Sequence, residues 1–142
     1  MAKLSQSPIL IIVSYTFGLT GIVLGLNAIY NPVFAFTFFE GKYPTGASAD
    51  PQTRQIIDTL MRVYGVRNVF MGFATLVVTH YRLSKVIGLL TIATGGVALA
   101  DGAICYSVNG VGQWNHWPLA PIALGLGGVF LGWFDGAWLQ RK

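Results

Sequence analysis

Residues 8–30 carry no charged side chain, and three further stretches of similar length, about 55–79, 85–108 and 118–139, are predominantly apolar, the first of them the most polar of the four. At about 1.5 Å per residue, some 20 residues of helix cross a hydrocarbon core about 30 Å thick. In such a medium every backbone N–H and C=O must be paired within the protein, so a spanning segment is a helix or part of a closed barrel. Runs of this length predict an all-α integral membrane four-helix bundle, with residues 1–142 forming a single domain. The chain is 54% hydrophobic and 10% charged, whereas soluble domains carry about 25% charged residues. With 142 residues, four spans leave no length for a separate soluble domain.

Local signals bound these segments. Ser7 and Pro8 open the first span and Asn31-Pro32 stops it. Its apolar run exceeds the 7–15 residues of a signal core, and no small-residue cleavage pattern follows. A turn-rich stretch, residues 44–51, precedes the second span. Lys3, Arg82, Lys85, Arg141 and Lys142 fall on one side of a four-span chain and Lys42 and Arg54 on the other. The excess places both termini in the cytoplasm. The location expected is a multi-pass one, in the endoplasmic reticulum of a eukaryote or the inner membrane of a bacterium. The net charge of +4 then reports orientation, and nucleic acid is not expected as a partner. Cys105 is the only cysteine, which excludes an intramolecular disulfide.

Glycines recur at spacings of three, four or seven: Gly18, Gly21 and Gly25; Gly65 and Gly72; Gly128, Gly132 and Gly136. Such spacing allows close helix approach in lipid. The fourth-span run predicts a packing face, within the bundle or between protomers of a homo-oligomer.

Buried charge singles out a site. Asp101 lies inside the third span, and Asp58, Arg62 and Arg67 inside the second. Ionisable groups at such depth mark functional sites or paired helix fasteners. Antiparallel threading sets Arg62 level with Asp101, roughly 10 Å from the non-cytoplasmic side. Asp58 and Arg62, four apart, share a helix face as an i, i+4 ion pair. Arg67 projects from the other side and needs Asp101, a backbone carbonyl or a ligand as acceptor. Asn27, Tyr64, Asn68, Tyr106, Trp114, His116 and Trp117 belong to the same half of the bundle. After the first span, residues 33–39 (Val-Phe-Ala-Phe-Thr-Phe-Phe) are too short to cross and too apolar for water. They form an interfacial anchor or fold back as a lid, with Phe38 over the polar cluster.

Two histidines on opposite sides and one cysteine give no typical metal spacing, and no phosphate-binding loop or nucleophile elbow is present. Neither metal nor cofactor is expected. The remaining chemistry needs acid, base and shape, namely isomerisation, cyclisation or hydration of a lipophilic substrate.

The segment Tyr64-Gly65-Val66-Arg67-Asn68-Val69-Phe70-Met71-Gly72 resembles the Tyr-Gly-x-Arg-x-x-x-x-Gly signature of small four-helix DoxX-like integral membrane proteins of unknown function. The likeness extends to chain layout and to a third-span aspartate matched by Asp101. Fungal members encoded beside biosynthetic genes imply cyclase or isomerase roles on terpenoid or polyketide intermediates. The resemblance brings no established catalytic residue. Two functions follow as expectations. One is a membrane-embedded isomerase or cyclase of a lipophilic small molecule, with Asp101 as acid and Arg62, Arg67 and Asp58 around it. The other is a non-catalytic membrane subunit or lipid-binding scaffold in which these charges fasten helices.

Overall fold

The computed structural model describes residues 4–46 and 49–136. Among these the regular elements are all helices. Pro8 suits a first helical turn because its fixed φ is helical and its missing N–H is not needed there; α1 (Pro8–Tyr30) begins on it. Pro32 cannot continue the ladder and instead starts the short α2 (Pro32–Thr37). The next helix, α3 (Pro51–His80), begins four residues before the expected 55 because Asp50 caps it. Its carboxylate accepts the Gln52 and Thr53 N–H groups at 3.2 and 3.0 Å and the Thr53 hydroxyl at 2.8 Å. The hydroxyl first, then the two amides, hold the Asp50 carboxyl below its ordinary range. Left-handed glycines end the last two helices: Gly110 (φ 71°) closes α4 (Ser84–Asn109), and Gly132 (φ 86°) closes α5 (Leu119–Leu131).

The long helices form two antiparallel pairs. In the first, α1 lies on α3 with glycine against glycine. A Cβ on Gly72 would stand 2.5 Å from the Gly18 carbonyl oxygen, and one on Gly25 2.6 Å from that of Gly65. Near the terminal end of this seam, the buried hydroxyls of Ser14 and Thr79 share a hydrogen bond of 2.6 Å. The second pair, α4 and α5, meets at Gly88 and Gly127, where a Cβ on either would lie 2.8 Å from the other's carbonyl oxygen. The buried apolar set is rich in small residues, Ala28, Ala35, Ala98, Ala120 and Ala123, beside the larger Ile11, Met61, Ile87 and Phe130. Large apolar side chains such as Val63, Phe70, Leu89, Ile104 and Ile122 stand exposed on the outer faces.

Among the described residues, two helices, α1 and α4, are long and apolar enough to cross a membrane. The 30-residue α3 has the length but carries Arg54, Asp58, Arg62 and Arg67. The fourth expected span, 118–139, is corrected: α5 has 13 residues, about 20 Å of helix. At Gly132 the backbone turns left-handed and the Trp133 N–H bonds back to the Gly128 carbonyl at 3.1 Å. Gly132 is therefore a helix stop rather than the middle of a glycine face, and the Trp133 ring covers Gly128. Asp135 accepts the Ser5 N–H at 3.0 Å and the Ser5 hydroxyl at 2.9 Å. Lys3, Ala47, Ser48, residues 137–139, Arg141 and Lys142 lie outside the described residues.

Candidate functional site: a cavity between the helix pairs

Where the pairs face each other they do not close. A cavity of about 500 Å³ separates them, walled by α1 from Ile12 to Leu24, by α3 from Tyr64 to Thr75 and by α4 from Thr94 to Asp101. Phe38, Asn115 and His116 bound it at the end where α2 and the α4–α5 connection lie.

The wall is more apolar than its sequence. Thr16, Thr20, Thr75 and Thr94 line it, yet each hydroxyl donates to the carbonyl four residues earlier in its own helix, at 2.9 to 3.1 Å. With their protons held there, these threonines act mainly as methyl-bearing wall. Polar function is thereby concentrated at the loop end, in Asp101, Asn68, Tyr64, Asn115 and His116.

One chain of contacts organises that end. Arg67 donates to Asp101 at 2.9 Å, bridging the two pairs, with the arginine side chain 41% exposed and the aspartate 13%. The same guanidinium lies over the Tyr64 ring, 4.7 Å from its centroid. Tyr64 meets Phe39 edge to face at 5.1 Å, and Phe39 in turn packs on the His116 imidazole at 5.1 Å. The aromatic segment thus folds back over the cavity. Two amides fasten it: Asn109 donates to the Phe39 carbonyl at 2.9 Å, and Asn115 to the Phe38 carbonyl at 3.0 Å and the Glu40 carboxylate at 3.1 Å.

His116 is 8% exposed and its Nε2 is buried with no hydrogen-bond partner among the described residues, as is Oε1 of Gln113 one turn before it. Such an orphan costs about 1–3 kcal/mol. Neutral imidazole can offer Nε2 as donor or acceptor, according to tautomer.

The expected site residues divide into two groups. Asp101, Tyr64, Asn68, Phe38 and His116 are brought together on the cavity wall, with Arg67 behind Asp101. Asn27 lies in a small adjoining pocket of about 40 Å³ shared with Phe38 and Tyr64. The others point elsewhere. Arg62 is exposed, and the i, i+4 pair with Asp58 is replaced: Asp58 accepts the Tyr43 hydroxyl at 3.0 Å. Burial, with this bond second, pushes the Tyr43 phenol up. Tyr106 and Trp114 are exposed, and the Trp117 indole donates to the Leu99 carbonyl at 3.3 Å. Level depth did not select Arg62, because rotation decides: five residues separate it from Arg67, about 140° around the helix. The threonine wall and Asn115 were not read from the sequence. Threonine pairs four apart, Thr16 with Thr20 and Thr75 with Thr79, were the available signal.

Among curated proteins and solved structures, nothing matches this chain. A family model does match, and its range takes in most of α1 and nearly all of α5, with the whole cavity-bearing α3 and α4 between. That family is uncharacterised, which agrees with the coarser part of the resemblance carried by residues 64–72; the match does not carry the DoxX-like assignment. The chain belongs to the family described as Domain of unknown function (DUF4267), matched over residues 18–130.

Proposed function

We propose that this protein is a membrane-embedded isomerase or cyclase that admits a lipophilic small molecule, terpenoid- or polyketide-like in character, between its two helix pairs. The arrangement of apolar surface supports the membrane setting. Small residues fill the seams and large apolar side chains face outward, the pattern expected where lipid rather than water surrounds the helices. In this reading all four long helices sit in the membrane as a multi-pass bundle, α5 as its short member. The lysine and arginine bias puts both termini in the cytoplasm and the lid end on the opposite side.

The observation that carries the catalytic reading is the concentration of proton-handling groups at one end of an otherwise apolar cavity. Asp101, ion-paired with Arg67, serves as acceptor rather than as the acid first expected. His116 takes the acid role, donating from Nε2 to one carbon or to a carbonyl oxygen, while the Asp101 carboxylate removes a proton from another carbon. Composition is unchanged: isomerisation relocates a hydrogen and a double bond, whereas cyclisation turns one π bond into a ring C–C bond, and exchange with solvent then removes the proton gained by Asp101 and restores the one lost by His116. The walls add catalysis by holding a flexible chain in a reactive fold.

The test is solvent labelling. Protein reconstituted in deuterated buffer with a lipid extract of its native membrane should convert one component into an isomer one deuterium heavier, detected by mass spectrometry. Asp101→Asn and His116→Phe should each abolish that product. Its absence with the unaltered protein, or its persistence in both variants, contradicts the proposal. A second reading is favoured by the position of the Arg67–Asp101 bridge itself. As the ion pair joining the two helix pairs, it suits a non-catalytic subunit in which the charges fasten helices, and Asp101→Asn would then loosen the fold without touching any turnover.

A further inference from the structure

The charge and shape of the cavity point to one class of occupant. Along α1 the cavity extends from Ile12 to Leu24, about 18 Å of helix. Its volume of about 500 Å³ is within the ordinary range of small-molecule sites. The length and the apolar lining suit an elongated hydrocarbon body.

The head end is selective by charge. Asp101 is on the cavity wall and Arg67 is not; the arginine approaches its partner from the exposed side. An occupant therefore meets a carboxylate with its countercharge behind it, which disfavours a carboxylate or phosphate head. The neutral groups beside Asp101 remain available. Nε2 of His116 is buried with no hydrogen-bond partner among the described residues, and the Asn68 amide, also on the wall, makes no hydrogen bond to a described residue. A hydroxyl suits all three: it donates to Asp101 or to His116 and accepts from Asn68 or from the other His116 tautomer. A hydrocarbon without a head would leave Nε2 orphaned.

We infer that the occupant is an elongated lipophilic alcohol, lying along α1 with its hydroxyl among Asp101, Asn68 and His116. This rests on the reading of the cavity as a ligand site and narrows it. The amphiphile's acid and its phosphate ester are excluded as primary ligands.

Photolabelling of the whole protein in lipid nanodiscs tests it. Three probes carry a diazirine at the same tail carbon: dodecan-1-ol, dodecanoate at a pH where it is ionised, and dodecane. The alcohol should label cavity-lining peptides of α1 and α3 at least tenfold more than the acid and severalfold more than the alkane. His116→Phe, which keeps a ring against Phe39, should bring alcohol labelling down to the alkane level. Equal labelling by acid and alcohol, or by alkane and alcohol, overturns the head-group assignment while leaving the cavity as a ligand site. No labelling of cavity peptides by any probe, against outward-facing α1 residues as reference, overturns the cavity reading itself.

Discussion

The seam between α1 and α3 and the gap between the two helix pairs use the same small vocabulary of glycine, threonine and short apolar residues, with opposite results. In the seam, Gly18, Gly25, Gly65 and Gly72 let two backbones touch, and Ser14 hydrogen-bonds across to Thr79. In the gap, Thr16, Thr20, Thr75 and Thr94 turn their hydroxyls back into their own helices, and their side chains make no bond across it between Ser5–Asp135 at one end and Arg67–Asp101 at the other. Close packing is thus set by which face carries the glycines. Openness is set by a face whose polar groups are already satisfied.

The largest expected effect lies in the seam. Gly72→Ala places a methyl against the Gly18 carbonyl and should cost about 1–3 kcal/mol, read as a loss in denaturant titration of the detergent-solubilised protein. Thr94→Ala, a comparable change of one small group in the gap, should fall within about 0.5 kcal/mol of the unaltered protein. Equal costs would erase the distinction between seam and gap. Next comes Ser14→Ala, which removes the bond to Thr79 and should cost about 0.5–1.5 kcal/mol by the same titration. Asp101→Asn should cost less, about 0–1 kcal/mol, because Arg67 is partly exposed and keeps the Tyr64 face. Its effect should appear in isomer formation instead. A collapse of stability with that substitution would favour the fastener reading.

The smallest effect is outside both regions, at the start of α3. Asp50 has its carboxyl held low by the Thr53 hydroxyl and the first-turn amides. A depressed folded value means that this capping contribution is present above the unfolded carboxyl's pKa and fades as pH falls through the folded one. Protection of the Gln52 and Thr53 amides, measured against their intrinsic exchange rate at each pH, should fall on acidification below the ordinary carboxylate range, and in Asp50→Ala should be low at every pH.

Much of this architecture was legible in the sequence where a signal is local. The proline and asparagine around residues 8–32 delimit α1, and charge inside apolar runs singled out Arg67 and Asp101. What was not legible depends on rotation and backbone sign. Depth set Arg62 level with Asp101, while the need of Arg67 for an acceptor left Asp101, a backbone carbonyl and a ligand open; the turn of α3 selects Asp101. Spacing alone made Gly132 part of a helix face, although its positive φ ends α5. The threonines count as polar in any composition, and only their return bonds show that the cavity they line is apolar.

The central claim is that the gap is an occupied binding site rather than a packing defect. Native mass spectrometry of protein released from nanodiscs containing dodecan-1-ol tests it most directly, comparing the unaltered chain with Val97→Phe, which fills the cavity from α4. The expected result is one alcohol adduct per unaltered chain and none on the variant, at matched stability. Equal adducts on both, or a variant that unfolds because the gap has no room, would contradict it.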